Sequence, residues 1–155
     1  MSKYAEASLR TKTNVSANYS DDYVYVSESK YLNKLGYQGN GLYANQTFNA
    51  GDIILEYKGK KITDNQAELK KSHKQYMFDV KDGKKVLFVI DGANNRFASA
   101  AKYTNTTRTF ASRQRNSEFI QYHKKIYLVA SKQIRRNTEI ITYYGNDTDR
   151  VINSK

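Results

Sequence analysis

Gly39-Asn40-Gly41-Leu42-Tyr43-Ala44, followed closely by Phe48-Asn49-Ala50-Gly51-Asp52-Ile53-Ile54-Leu55-Glu56-Tyr57-Lys58-Gly59, is the stretch that decides how this 155-residue chain folds. Two glycines around one residue suit a turn that brings bare backbone up to a ligand, because glycine lacks Cβ and tolerates positive φ. Alone, Gly-x-Gly is an ordinary turn more often than a binding element. Its weight comes from two later islands in fixed order. Ala101-Lys102-Tyr103-Thr104-Asn105 lies about sixty residues on, and Glu139-Ile140-Ile141-Thr142-Tyr143-Tyr144-Gly145 about forty beyond that.

Outward from this stretch the chain reads as many short strands. Residues 1–20 are polar, with no hydrophobic period, and are expected to form a flexible tail, the ordered domain covering 21–155. Tyr23 to Val26 and Ile53 to Tyr57 read as strands, separated by Gly36, Gly39, Gly41 and the turn signal Asn49-Ala50-Gly51-Asp52. Thr63-Asp64-Asn65-Gln66 is a capping-box pattern opening one short, mostly exposed helix through Lys71. Tyr76 to Val80 and Val86 to Ile90 flank a Gly-bearing turn and predict a hairpin. Glu118 to Gln121, Ile126 to Ala130 and Ile140 to Tyr144 complete a β-dominated pattern.

Composition bounds the rest. A chain of 155 residues that is 39% hydrophobic and 13% aromatic, with fourteen Tyr and no Trp, supports one packed domain and excludes a disordered polymer. Without cysteine there are no disulfides or thiolate sites, and His73 and His123 alone offer no zinc set, so no metal is expected. No stretch approaches the roughly 20 apolar residues of a membrane span, and the opening residues hold no signal-like apolar core; the expectation is a soluble intracellular protein with no membrane partner. The formal charge of +11 is uneven: from Lys102 to Arg136 nine Lys or Arg face the single acid Glu118. Such a run is either a solvated basic face or a contact for phosphate backbone. No helix-turn-helix, zinc-finger or basic-helix pattern is visible, so DNA contact would serve positioning rather than sequence reading.

The ordered islands resemble the SET-domain protein-lysine methyltransferases. Val26 to Lys30, Gly39 to Ala44 and Phe48 to Gly59 are similar to the family's N-terminal half almost throughout. Ile90-Asp91-Gly92 stands where the family has Ile-Asp-Ala, and Ala101 to Asn105 where it has Ala-Arg-Phe-Ile-Asn. Ile126 to Ile140 resembles the stretch that ends in Gly-Glu-Glu-Leu. The resemblance implies the SET fold, mainly β with short helices (α+β), made of small β-sheets with a C-terminal knot-like crossing. It implies S-adenosylmethionine as cofactor, held by Gly39, Asn40, Gly41, Leu42, Asn105, Thr106 and Tyr144, with Tyr144 on the catalytic tyrosine. Tyr76 stands where relatives place an aromatic of the lysine channel, strand packing being the other reading of the same ring. Thr142 replaces the Phe or Tyr that often limits methyl addition, which leaves product multiplicity open. Tyr103 is read as a core residue.

The family chemistry is an in-line displacement in which a neutral lysine amine attacks a sulfonium methyl, so positioning supplies most of the catalysis. A tyrosine hydroxyl can orient the amine without acting as a nucleophile. The amine, with an unperturbed pKa of about 10.4, must arrive deprotonated, which an aromatic channel favours.

The sequence departs from the family after Asn105. The usual His is Thr106, Cys-x-Pro-Asn is missing, and an insertion runs from Thr106 to Arg115 before Asn116 resumes the pattern; PR domains, a divergent branch, also lack that His. An alternative register sets Arg96-Phe97-Ala98-Ser99 on the Asn segment but replaces the Asn with Ser. Lys102 in place of Arg loses a planar donor fork. Absent cysteines remove the family's zinc-bound flanking modules, leaving Asn146 to Lys155, or a second copy in a homodimer, to close the channel, as in minimal viral or bacterial members. The expected substrate is a histone tail or another lysine-containing protein, with nucleosomal DNA contacted through Lys102 to Arg136 and a nuclear location. Two other readings stay open: an inactive SET- or PR-like binding module, and a small basic nucleic-acid-binding β domain whose tyrosines stack on bases.

Overall fold

The computed structural model describes residues 21–93 and 96–144, and the side chains of all of these except 71–73. The expected tail over 1–20 and the closing segment from Gly145 to Lys155 lie outside the described residues, as does any threading of the C-terminus past residue 144. Among the described residues, ten strands form three small sheets. The first has the order β1 (Val24–Glu28), β2 (Asn40–Ala44), β10 (Glu139–Thr142), β7 (Asn105–Thr106). The second is β3 (Ile53–Tyr57), β9 (Lys125–Ala130), β8 (Ser117–Tyr122). The third is β4 (Lys60–Ile62), β6 (Lys85–Asp91), β5 (Met77–Asp82). With only short helices beside them, the architecture is the mainly β one read from the sequence.

Local chemistry explains the elements. The predicted hairpin forms, β5 and β6 joining where Gly83 has φ +60°, and the expected strands β8 and β9 make a second one through His123 at φ +56°. The capping box is present in full over α2 (Asp64–Leu69): Thr63 Oγ1 accepts the Gln66 N–H at 3.1 Å, and the Gln66 side chain accepts the Thr63 N–H at 2.9 Å. An additional short helix, α1 (Lys30–Lys34), is capped by Ser29, whose hydroxyl oxygen accepts the Leu32 N–H at 3.0 Å, and it ends at Gly36 with φ +86°. Five residues are too few to show helical periodicity, so α1 leaves no signal in the sequence pattern. The fully buried Leu32 fixes α1 to the domain.

Two expectations need correction. Gly39-Asn40-Gly41 is not a turn between strands: Asn40 and Gly41 lie within β2, paired with Glu28 and Ser27 of β1, and Gly41 has no positive φ. The last strand stops at Thr142, so Tyr143 and Tyr144 leave the ladder. The core is formed chiefly by Leu42, Ile54, Tyr57, Leu128 and Ile140, drawn from the first two sheets, with Val80 and Ile90 added by the third.

Candidate active site

The three islands meet in the first sheet. β10 lies between β2, antiparallel to it, and β7, parallel to it, with Ile140 opposite Leu42 and Ile141 opposite Asn105. The Asn105 amide donates to the Asn40 carbonyl at 2.9 Å and stands 3.3 Å from Glu139 Oε2. Glu139 is buried, and its carboxylate also accepts the Ser29 hydroxyl at 2.7 Å and the Tyr31 N–H at 2.9 Å. The Ser29 N–H in turn reaches the Gly39 carbonyl at 2.9 Å. Tyr43 gives its hydroxyl proton to the Glu28 carbonyl at 2.6 Å, which leaves its 3.4 Å approach to Glu139 weak. One carboxylate thus ties α1, β2 and β7 together. Gly41 faces it so closely that a Cβ there would overlap Glu139 Oε2, which makes close approach, and not backbone conformation, the reason for glycine.

Past Asn105, Thr106 has a defined task. Its hydroxyl oxygen accepts the Tyr144 N–H at 3.1 Å, holding the chain where it leaves β10. Asn116, at the end of the insertion, donates to the Glu139 carbonyl and accepts the Ile141 N–H, both at 2.9 Å, so its amide acts as one more rung beside β10. Thr142 is fully buried with its hydroxyl on the Ser117 carbonyl at 3.1 Å, directed into the junction of β10 and β8.

Tyr144 is partly buried and its hydroxyl donates to the Thr104 carbonyl at 3.2 Å. Its ring stacks on Phe119 at 5.2 Å between centroids and leans on Phe78 at 5.4 Å. Tyr57 meets Phe78 and Phe119 edge-on, at 4.7 and 5.6 Å, completing a four-ring wall. Burial, reinforced by Tyr76 nearby, pushes the Tyr144 phenol far above its ordinary range. Burial likewise raises Tyr57, with Tyr144, Asp91 and Tyr76 adding to the effect. Both hydroxyls therefore stay protonated at neutral pH. Tyr76 ends the 3-10 segment before β5, and its carbonyl accepts the Tyr57 hydroxyl at 2.5 Å.

A groove of about 440 Å³ opens beside this wall, with Phe78 and Tyr144 lining it and Asp64, Glu68 and Asp79 supplying acid against Lys74 and Lys81. It runs along β5, an edge strand. Lys102 is buried, not surface-exposed as its place in the basic run implied. Its ammonium lies 5.3 Å from the Tyr103 ring and 5.8 Å from the Tyr76 ring, and burial lowers its pKa against the opposing pull of Asp91. Asp91, also buried, lies 3.7 Å from Lys70. The sequence singled out Tyr144, Asn105, Gly41 and Tyr76, but not Phe78, Phe119, Glu139 or Asn116. Alternating apolar residues in strands signal burial only, and nothing local shows that residues forty apart share one wall.

A model of the SET domain matches residues 39–145. No curated protein matches the chain by sequence. Among solved structures, the methyltransferase domain of human PR domain-containing protein 2 is similar at TM-score 0.58 and 18% identity, over 81% of this chain and 80% of that one. ATXR5, solved in complex with mono-methylated histone H3.1, is similar at TM-score 0.61 and 15% identity, over 80% of this chain and 57% of that one. Such identities speak for the fold, and the family match covers well over half of the residues, including all three islands. The chain belongs to the SET-domain family.

Proposed function

We propose that this chain is an S-adenosylmethionine-dependent protein-lysine methyltransferase that acts on histone tails, with Tyr144 orienting the reacting amine. The observation that carries the reading is the meeting of Gly41, Asn105 and Glu139 next to a partly buried tyrosine whose ring closes an aromatic wall at an acidic groove.

The chemistry of the site suits a positively charged donor: the Asn40 and Thr104 carbonyls, the Tyr144 hydroxyl and the Glu139 carboxylate are all oxygen acceptors. Residues 39–42, 105 and 106 would hold the cofactor, which when bound supplies a methyl group on a cationic sulfur. The Tyr144 hydroxyl, kept protonated by burial, orients the incoming nitrogen while its ring and those of Phe78 and Phe119 keep water from the reacting line. The same rings disfavour the ammonium form of the substrate, helping the amine to arrive neutral. No side chain needs to form a covalent bond.

Asp64, Glu68 and Asp79 supply the attraction for a basic peptide that the net charge of +11 would otherwise oppose. An extended tail can add to the open edge of β5 up to Lys81, where the Gln121 side chain already bonds the strand at 2.9 and 2.6 Å. The histone complex of ATXR5, a neighbour in fold, supports this class of substrate, and a nuclear location goes with it. Replacement of the family His by Thr106 is compatible with activity, because the hydroxyl anchors Tyr144 directly. Calorimetric titration with S-adenosylmethionine tests the reading: saturable binding lost in Asn105→Ala supports it, and no binding by the unmodified protein overturns it.

A further inference from the structure

The cations that stand together in the sequence are dispersed by the fold, and a different set is gathered. Lys102 is buried, Arg115 packs on Phe110 at 4.1 Å and approaches Glu118 at 3.9 Å, and Lys124 lies in the β8–β9 turn with Lys125 opening β9. Arg113, Lys132 and Arg135 instead meet Lys30 and Lys34, carried in by α1, around a concavity of about 400 Å³. Lys30 and Lys34, four apart on one helix, project from the same face.

We propose that this basin binds the phosphate backbone of duplex DNA. Among the described residues none of its five cations is paired with a carboxylate, and Gln114 and Gln133 add amide donors to the lining. Glu139, the acid that borders the basin, is one negative charge against five positive ones and leaves the field positive. Lys132 is fixed at the rim by the Arg113 carbonyl at 2.9 Å, so part of the array is ordered in advance. Tyr31 is the one aromatic in the lining, too few rings for stacking along single-stranded bases and appropriate for contacts to phosphate. The surface at the two hairpin tips has the opposite character, with Tyr122, His123 and Tyr127 beside Lys81, Lys124 and Lys125. With three lysines and Asp82 it provides an internal control in which the same number of positive charges can be removed.

The inference stands independently of methyl transfer, since phosphate binding here needs neither cofactor nor Tyr144. The experiment is fluorescence anisotropy of a labelled duplex of about 20 base pairs with the full chain, across roughly 50 to 200 mM salt. Lys30→Gln/Arg113→Gln/Arg135→Gln is compared with Lys81→Gln/Lys124→Gln/Lys125→Gln; all six side chains are exposed, and thermal melts verify folding. The basin variant is expected to bind more weakly, with the slope of log affinity against log salt reduced by about 3, while the hairpin variant keeps the slope of the unmodified protein. Equal losses in both variants would reduce the effect to net charge and overturn the assignment, as would an unchanged basin variant.

Discussion

Gly41→Ala probes the junction on which the site is built. A methyl at this position would overlap Glu139 Oε2 and lie 3.0 Å from Glu139 Cδ and 3.2 Å from Ser29 Cβ. A carboxylate at the end of a flexible side chain could ordinarily move aside, but this one is held by the Ser29 hydroxyl, the Tyr31 N–H and the Asn105 amide. A hydrogen bond to a charged group contributes about 1.5–3 kcal/mol, so withdrawing Glu139 from Ser29 costs about 2–3 kcal/mol. Replacing glycine within a strand by alanine returns about 0.5–1 kcal/mol. The net loss is about 1–2.5 kcal/mol, or about 2–10 °C in melting temperature for a domain of this size. The assay is a double-mutant cycle by thermal or urea denaturation, with Gly41→Ala measured alone and on Glu139→Ala. On the second background the clash with the carboxylate is gone, and the cost is expected to fall within about 0.5 kcal/mol of zero. A neutral or stabilising Gly41→Ala in the unmodified protein, or the same loss on both backgrounds, would refute the reasoning.

Three further outcomes are expected. Thr63→Ala removes one half of the capping box and should cost about 1 kcal/mol, read as a lower urea midpoint at unchanged slope. Asp64→Asn/Glu68→Gln should raise KM for a basic peptide while leaving kcat nearly unchanged, because both acids line the groove away from the reacting atoms; an unchanged KM would remove the groove from substrate binding. Tyr57 and Tyr144 have phenols raised by burial above 10.0, so the unfolded chain loses these protons first as pH rises. Their contribution is fully present below pH 10.0 and declines above it, so melting temperature should fall in strong alkali, and less steeply in Tyr57→Phe.

Elements encoded by neighbouring residues were legible in the sequence. The Thr63–Gln66 box, the Gly83 turn and the paired apolar runs of β8 and β9 each state their structure within a few residues. Features that depend on distant partners were not. Gly41 reads as a turn residue until Glu139 is seen against it, and Lys102 counts as surface charge until the Tyr76 and Tyr103 rings are seen around it. The motif at Tyr144 could be named from its position, but the wall of Tyr57, Phe78 and Phe119 around it exists only because three sheets converge. Likewise the basin combines Lys30 with Arg135, a juxtaposition that no linear charge count contains.

The central claim, that Tyr144 lies at a methyl-transfer site for lysine, is tested most directly by following labelled methyl from S-adenosylmethionine to nucleosomes and to free core histones, with Tyr144→Phe beside the unmodified protein. The substitution removes the 3.2 Å bond to Thr104 and keeps the ring on Phe119, so the fold should be retained. The account predicts histone labelling by the unmodified protein and a loss of about a hundredfold or more in the variant. Equal labelling by both proteins would contradict the role of Tyr144, and no labelling of either substrate by a protein that binds the cofactor would contradict the histone assignment.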